Sequence, residues 1–318
     1  MKLAFACLPL SAENLDFGRV AHTCLITKML EVSSVPISNR FFVELSIVGR
    51  DRKGVVAAFT NLIFKNEGNI ESINQNVVKG LFGMQLEASF ARDVKEISLT
   101  NEFRRLGKEM GMAVGIHYLE TDRKLNLAVM MTKEPHCPEL ILKSVKNGRL
   151  RANIGVMIGS EGSLAPLARR AGVPFYSVST QDTEKREETI LKILHRHNID
   201  FIALARYMRI LSPNFVWRYP NKIINVHPSI LPAFPGAFAY EQAFERGARI
   251  VGCTSHFVTM DLDEGPIVWQ DSFKVKPGEQ LASIKKRGRA LEARILLKAL
   301  QLFTQGKLEV RWGKVYVK

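Results

Sequence analysis

Apolar and polar positions over residues 41–119 spell out six elements in the order βαββαβ. An apolar run at 42–48 predicts a strand. Asp51-Arg52-Lys53-Gly54 then turns the chain into a helix, on which Val55, Val56, Phe59, Leu62 and Ile63 recur at near-helical spacing before Gly68 ends it. Residues 69–78 and 81–90 read as strands joined by a turn at Lys79-Gly80. A second helix is predicted over 94–110 and a last strand over 112–119.

A charged linker at 120–124 leads into a second pattern, in which apolar strands at 125–131, 154–158, 173–178, 201–205 and 223–226 are separated by helical stretches. Such alternation predicts a Rossmann-like α/β domain with a mostly parallel sheet. The helix over 184–197 turns Ile190, Ile193 and Leu194 inward, and another apolar strand spans 250–258. Residues 278–305 form a long helix with Leu281, Ile284, Leu291, Ile295, Ala299 and Phe303 on one face. Alternation over 310–317 predicts a closing strand. The expected division is an N-terminal extension (1–40), a small domain (41–119) and a larger α/β domain (124–318). That suits 318 residues at about 150 per domain.

Lys2 followed by residues 3–10 imitates a short signal peptide, but the apolar run is brief and broken by Pro9. The reading is either an upstream start, with Met29 as the real initiator, or a disordered extension. No apolar run approaches the ~20 residues of a membrane span. The four cysteines (Cys7, Cys24, Cys137, Cys253) show no C-x-x-C pair or zinc spacing, which points to a reducing, cytoplasmic setting and to no structural metal. The net charge of +14 draws anions. Nucleic acid is set aside, because no RNP signature, zinc finger or aromatic-interleaved basic strip is present.

The chemistry gathers between Lys222 and Gly265. Strand side chains alternate faces, so Asn225 and His227 project together at the far end of the strand over 223–226. Ligands of open α/β sheets sit beyond the carboxyl ends of the strands. Asp263 follows the next apolar strand, so a neutral donor, an imidazole and a carboxylate can converge. His227 can move a proton near neutral pH, Asp263 can orient the imidazole or a water, and Asn225 can donate to an oxyanion. The set suits attack by water or an amine on a small acyl carbon. Taken singly, each of the three residues fits better as the end of a strand or part of a surface turn than as a catalytic group.

Asn-Val-His-Pro-Ser-Ile-Leu-Pro-Ala-Phe-Pro-Gly at 225–236 resembles the signature of the folate-dependent formyl-transfer enzymes. In that family an Asn, a His two residues later and the Asp of a Leu-Asp-x-Gly-Pro turn form the active site, which implies Asn225, His227 and Asp263 here. Tyr207-Met208-Arg209-Ile210-Leu211-Ser212-Pro213 is similar to the family's folate-binding segment. The resemblance makes Met208, Arg209, Ile210 and Leu211 substrate-binding candidates. Arg209 is expected to position the segment whose backbone reads the pterin. His256, on the strand before Asp263, is a further substrate candidate but reads more readily as a hydrogen-bonded core histidine. The 41–119 pattern with its Asp-Arg-Lys-Gly turn resembles an ACT domain, a ferredoxin-like module that often binds an amino acid at a dimer interface. That implies Asp51, Gly54 and Asn69 as ligand positions and a dimer or dimer of dimers.

The turn after the first strand of the α/β domain separates branches of the family. Members that use glycinamide ribonucleotide carry a Gly- and Ser-rich loop there, which cradles a phosphate. This chain has Thr132-Lys133-Glu134-Pro135-His136-Cys137, without a glycine and with a repelling Glu134 that Lys133 can offset. The stretch resembles the Lys-x-x-His-Cys segment of formyltetrahydrofolate deformylases, which also carry an N-terminal ACT domain. Hydrolysis of 10-formyltetrahydrofolate to tetrahydrofolate and formate is therefore implied, with no bound cofactor and a role in supplying formate and balancing folate pools for purine synthesis. Pro228 and the run Ala237-Phe238-Ala239-Tyr240 depart from the deformylase pattern, where a second His commonly follows the catalytic one. A formyltransferase to an amine, or a non-catalytic amino-acid or folate sensor, are the alternatives. His136-Cys137 opening a helix is weighed as a reactive thiol and, more commonly, as packing. Lys285, Lys286, Arg287, Arg289, Arg294 and Lys298 on the last helix form a solvated face or attract folate's glutamate tail.

Overall fold

Helical spacing of Val55, Phe59 and Ile63 puts three apolar side chains on one stripe, and all three are buried. They belong to helix α1 (Val55–Lys65) in the first domain of a computed structural model that describes residues 40–119, 123–234, 236 and 238–318. Expectations about Lys2, residues 3–10 and Met29 lie outside the described residues, as does most of the predicted linker. The other elements of this domain are strands β1 (Arg40–Arg50), β2 (Asn69–Val78), β3 (Leu81–Ala91) and β4 (Met112–Tyr118), and helix α2 (Glu96–Met110). The four strands form a sheet in the order β2-β3-β1-β4, the ferredoxin-like arrangement expected. Leu45, Ile47, Leu86, Leu99 and Phe103 close the core, and Phe59 stacks on Phe103 with ring centroids 6.4 Å apart.

The larger domain holds β5 (Leu125–Met131), α3 (His136–Lys146), β6 (Ala152–Gly159), α4 (Ala165–Arg170), β7 (Phe175–Ser177), α5 (Thr183–Arg196) and β8 (Phe201–Ala205). It continues with α6 (Pro213–Val216), β9 (Ile223–His227), α7 (Ala239–Glu245), β10 (Ile250–Phe257), β11 (Ile267–Lys274) and α8 (Leu281–Thr304). Its seven-stranded sheet runs β11-β10-β9-β8-β5-β6-β7. β5 through β9 pair in parallel, and β10 and β11 add antiparallel. The chain starts mid-sheet at β5, lays β6 and β7 to one side, then crosses to β8 and β9 on the other. That crossover makes the β5/β8 junction a topological switch point, where ligands of such sheets bind. One face packs against α3 and α8 through Leu127, Val129, Ile141 and Leu296, and the other against α5 and α6 through Met130, Ile190, Leu194 and Phe215.

Two features differ from the sequence reading. β11 went unread, because only Val268 of its eight residues is buried and an edge strand with one sparse apolar face carries little periodic signal. The predicted closing strand over 310–317 is instead a hairpin of β12 (Leu308–Arg311) and β13 (Lys314–Val317), a separate two-stranded sheet. Trp312 and Gly313 both hold positive φ at its tip, and this tight turn doubles the chain back.

The two domains meet at the segment before β9. The Trp217 ring lies flush on Gly83 of β3, where an added Cβ would come within 2.3 Å of it. Lys222 Nζ pairs with Glu44 of β1 at 2.6 Å, both side chains 13% exposed.

Candidate active site

Parallel pairing of β9 with β8 ends at Leu204↔Asn225, so Asn225 and His227 emerge at the carboxyl edge of the sheet. Both line a cavity of about 280 Å³ with Asp263, Arg206 and the segment from Tyr207 to Leu211. Asp263 is brought back by a tight loop after β10. Gly265 is required there, because a Cβ would stand 1.8 Å from the Phe257 carbonyl oxygen. The Phe257 N–H donates to the Pro266 carbonyl at 2.9 Å, which closes the loop and leaves Asp263 at φ +59.

The three predicted residues converge. His227 Nδ1 lies 3.2 Å from Asp263 Oδ2, and His227 Nε2 donates to the Phe234 carbonyl at 3.1 Å. Asp263 Oδ2 also accepts the Gly236 N–H at 3.2 Å. Burial pushes the Asp263 carboxyl up, but the hydrogen bonds from His227 and from the Gly236 N–H outweigh it and hold the group below the usual carboxylate range. Both imidazole nitrogens of His227 therefore face acceptors.

His256 unites the two readings weighed for it. It is 2% exposed, yet it lines the cavity. Its Nδ1 donates to the Phe257 carbonyl at 3.0 Å, so the neutral ring presents a bare Nε2 that accepts the Asn225 amide N–H at 3.2 Å. Burial pushes His256 below its ordinary pKa, against the Phe257 bond and Asp263, and so favours that neutral form. Asn225 is thereby oriented with a second N–H left over for the cavity.

The segment from Tyr207 to Ser212 forms one wall. Met208 and Ile210 are exposed, Leu211 is buried, and Arg209 donates to Gln181 at 2.6 Å. Two residues missed from sequence hold this wall from behind. Glu187 accepts the Ser212 N–H at 2.7 Å and its hydroxyl, and Arg186 reaches the Ile210 carbonyl at 3.5 Å. Both are buried charges on α5. Their positions three and four residues before Ile190 place them on its inward face, which is the signal that could have found them.

The turn at Thr132–Cys137 does not line the cavity. Thr132 Oγ1 accepts from Met208 N at 3.1 Å and from Ser160 Oγ at 3.0 Å, Glu134 pairs with Arg289, and His136 Nε2 meets Glu292 at 3.1 Å. Glu292, 1% exposed within α8, was unforeseen and also accepts the Tyr240 hydroxyl at 2.7 Å. Donor atoms of His136, Cys137 and Glu292 lie within 4.8 Å of one another, close enough to hold a metal ion, although the adjacent Arg206 cation works against one. Burial, with Glu292 next, pushes the Cys137 thiol well above its usual range, which argues against a reactive thiolate. Burial likewise raises Cys253, to about 12.

Of the ACT ligand positions, Asp51 and Gly54 border a second cavity of about 310 Å³ with Gln75 and Phe82. Asn69 lies at the opposite end of β2 and donates to Glu71 at 3.0 Å. The α8 cations are largely engaged: Lys285 pairs with Glu241, Arg287 with Glu279 and Arg289 with Glu134, and Lys298 lies over Trp269. Among the described residues, α8 contributes nothing to the cavity lining, and no helix is long and apolar enough to cross a membrane.

The formyl transferase family profile matches residues 125–300, and the ACT domain profile matches 42–117. The formyltetrahydrofolate deformylase of Bacillus subtilis is 35% identical over 274 residues, covering 84% of this chain and 90% of that protein. The Haemophilus influenzae protein of the same name is 34% identical over 281 residues, covering 84% and 95%. A solved formyltetrahydrofolate deformylase from Pseudomonas syringae superposes with TM-score 0.61 at 28% identity, covering 93% of this chain and 99% of that one. Glycinamide ribonucleotide transformylase 1 from Symbiobacterium toebii gives 0.58 at 32% identity but covers only 61% of this chain. With both domains matched in order and the likeness running through each, the chain belongs to the formyltetrahydrofolate deformylase family.

Proposed function

We propose that this cavity hydrolyses 10-formyltetrahydrofolate to tetrahydrofolate and formate, with Asn225, His227 and Asp263 performing the chemistry. The observation that carries the reading is the meeting of a donor, an imidazole and a carboxylate at one end of a cavity walled by residues 207–211. Water held by Asp263 adds to the formyl carbon, and Asp263 and His227 take up its proton as a coupled pair. The second Asn225 N–H meets the oxyanion. The C–N bond then breaks as the proton held by the Asp263–His227 pair passes to the leaving nitrogen. His256 acts through Asn225, holding its amide in the donating orientation.

The internal bonding of the 132–137 turn supports water as the acceptor, since Thr132 and Glu134 spend their polar groups within the protein and His136 Nε2 meets Glu292. Pro228, which lines the cavity beside His227, favours a second reading as a transferase to an amine. Purified protein with 10-formyltetrahydrofolate alone separates the two. Formate released without added amine, and lost in His227→Ala, establishes hydrolysis. Turnover only when glycinamide ribonucleotide is added moves the protein to the transferases.

The Asp51–Gly54 cavity supports an amino-acid effector, and the position of β2 as an exposed edge strand among the described residues supports pairing with a second copy. The buried free thiols Cys137 and Cys253 fit a reducing cytoplasm.

A further inference from the structure

Arg206 follows the last residue of β8 with φ +61, a left-handed backbone that crowds any residue bearing a Cβ. Arg206 stands two residues past Leu204, the last β8 residue paired with β9, and it lines the cavity together with His227. Its guanidinium is anchored at the rear. Nε lies 3.7 Å from Oε2 of Glu292, which His136 and Tyr240 hold in turn. An apolar residue on the inward face of α8 would avoid the desolvation that a buried carboxylate carries. A crowded backbone and a buried acid thus cooperate to place one cation, whose side chain keeps 25% exposure. The other arginine lining the cavity, Arg209, is bonded to Gln181.

Hydrolysis of a formamide supplies a matching anion. The C–N bond breaks, the water oxygen stays on carbon, one proton goes to the amine nitrogen and one to solvent, and a neutral formyl group leaves as a carboxylate. Paired guanidinium N–H groups fit a carboxylate better than any other side chain. We propose that Arg206 forms a subsite for the formate ion and that Glu292 is the positioning residue that aims it. The inference rests on the hydrolytic reading above.

The test is a titration of sodium [13C]formate into the full-length protein without folate, followed by 13C line broadening, with sodium chloride at equal ionic strength as control. Saturable broadening is expected for the wild type and for the remote Arg105→Gln. Arg206→Gly should weaken formate by roughly tenfold or more, and Glu292→Gln by about threefold or more. Glycine suits the left-handed backbone, so a cooperative melting curve for Arg206→Gly shows that lost binding is not lost fold. In turnover, the inhibition constant for formate rises in both variants more than KM for the folate does. Equal formate affinity in Arg206→Gly and wild type overturns the proposal, as does displacement of formate by an equal concentration of chloride. Arg206-dependent formate binding by a protein that releases none from 10-formyltetrahydrofolate leaves the subsite standing and removes only the hydrolytic reading.

Discussion

A methyl group at Gly265 would meet a backbone oxygen at 1.8 Å, and no rotamer change can move that oxygen away. Gly265→Ala is therefore expected to lower stability by about 2 kcal/mol or more and to shift Asp263 off His227. Thermal melting and the rate of formate release together would show both effects. Asn225 and His256 divide one task. Asn225→Ala should cut kcat by about 10²- to 10³-fold, the loss typical of an oxyanion donor. His256→Leu only frees the amide to rotate and should cost about tenfold in kcat with KM little changed. Equal losses in the two variants would mean that His256 meets the substrate itself. That Asn225 and His227 share a strand face was legible from their spacing, and Asp263 joined them through its Leu-Asp-x-Gly-Pro turn and the family resemblance. The His256–Asn225 bond was not, since it joins β10 to β9 across a ladder that only the folded sheet creates.

At the scale of elements, α5 does more than cover the sheet. Glu187 satisfies both the N–H and the hydroxyl of Ser212, so it holds the end of the 207–211 wall. Glu187→Ala leaves those donors unpaired and should raise KM for the folate by roughly 5- to 30-fold, equivalent to about 1 to 2 kcal/mol, with a smaller change in kcat. Steady-state kinetics at several folate concentrations reads the split, and a pure kcat loss would place Glu187 elsewhere in the mechanism. The helix itself was plain in the sequence from Ile190, Ile193 and Leu194. Its inward acids and bases were not read, because charge on a helix is ordinarily solvated. The same habit concealed Glu292 among the leucines of α8. The hairpin at β12 and β13 was missed for a different reason. Short strands with little burial leave alternation without an apolar face to anchor it.

Across the whole molecule, the ACT domain rests on the segment that leads into β9. His117 of β4 sits in this contact, 4.0 Å from Asp200. Burial, and then the charge of Lys222, push it from 6.5 down to about 4, although Glu44 and Asp200 oppose the shift. Between those values the unfolded chain binds a proton that the folded chain refuses. The stability contribution of this group is thus complete above the unfolded value and is lost as pH falls from about 6.5 to about 4. At most about 3 kcal/mol is involved. Denaturant midpoints measured across that window should fall with pH in the wild type and flatten in His117→Gln. An unchanged slope would assign the acid sensitivity to other groups.

The sequence by itself determined the two-domain α/β architecture, because apolar periodicity is a local property that each segment carries alone. It also placed Asn225 and His227 on one face of a strand, because side chains two apart on a strand share a face, while the roles proposed for them and for residues 207–211 came from resemblance to the family. Tertiary structure alone decided which charges are buried, which loop polar groups are already spent, and where the ACT sheet meets β9. Those outcomes depend on partners 25 to 172 residues apart, as in Glu187–Ser212 and Ser46–Arg218. Whether such a charge is buried or solvated depends on the side chains that folding brings around it, and one-dimensional pattern does not contain that neighbourhood.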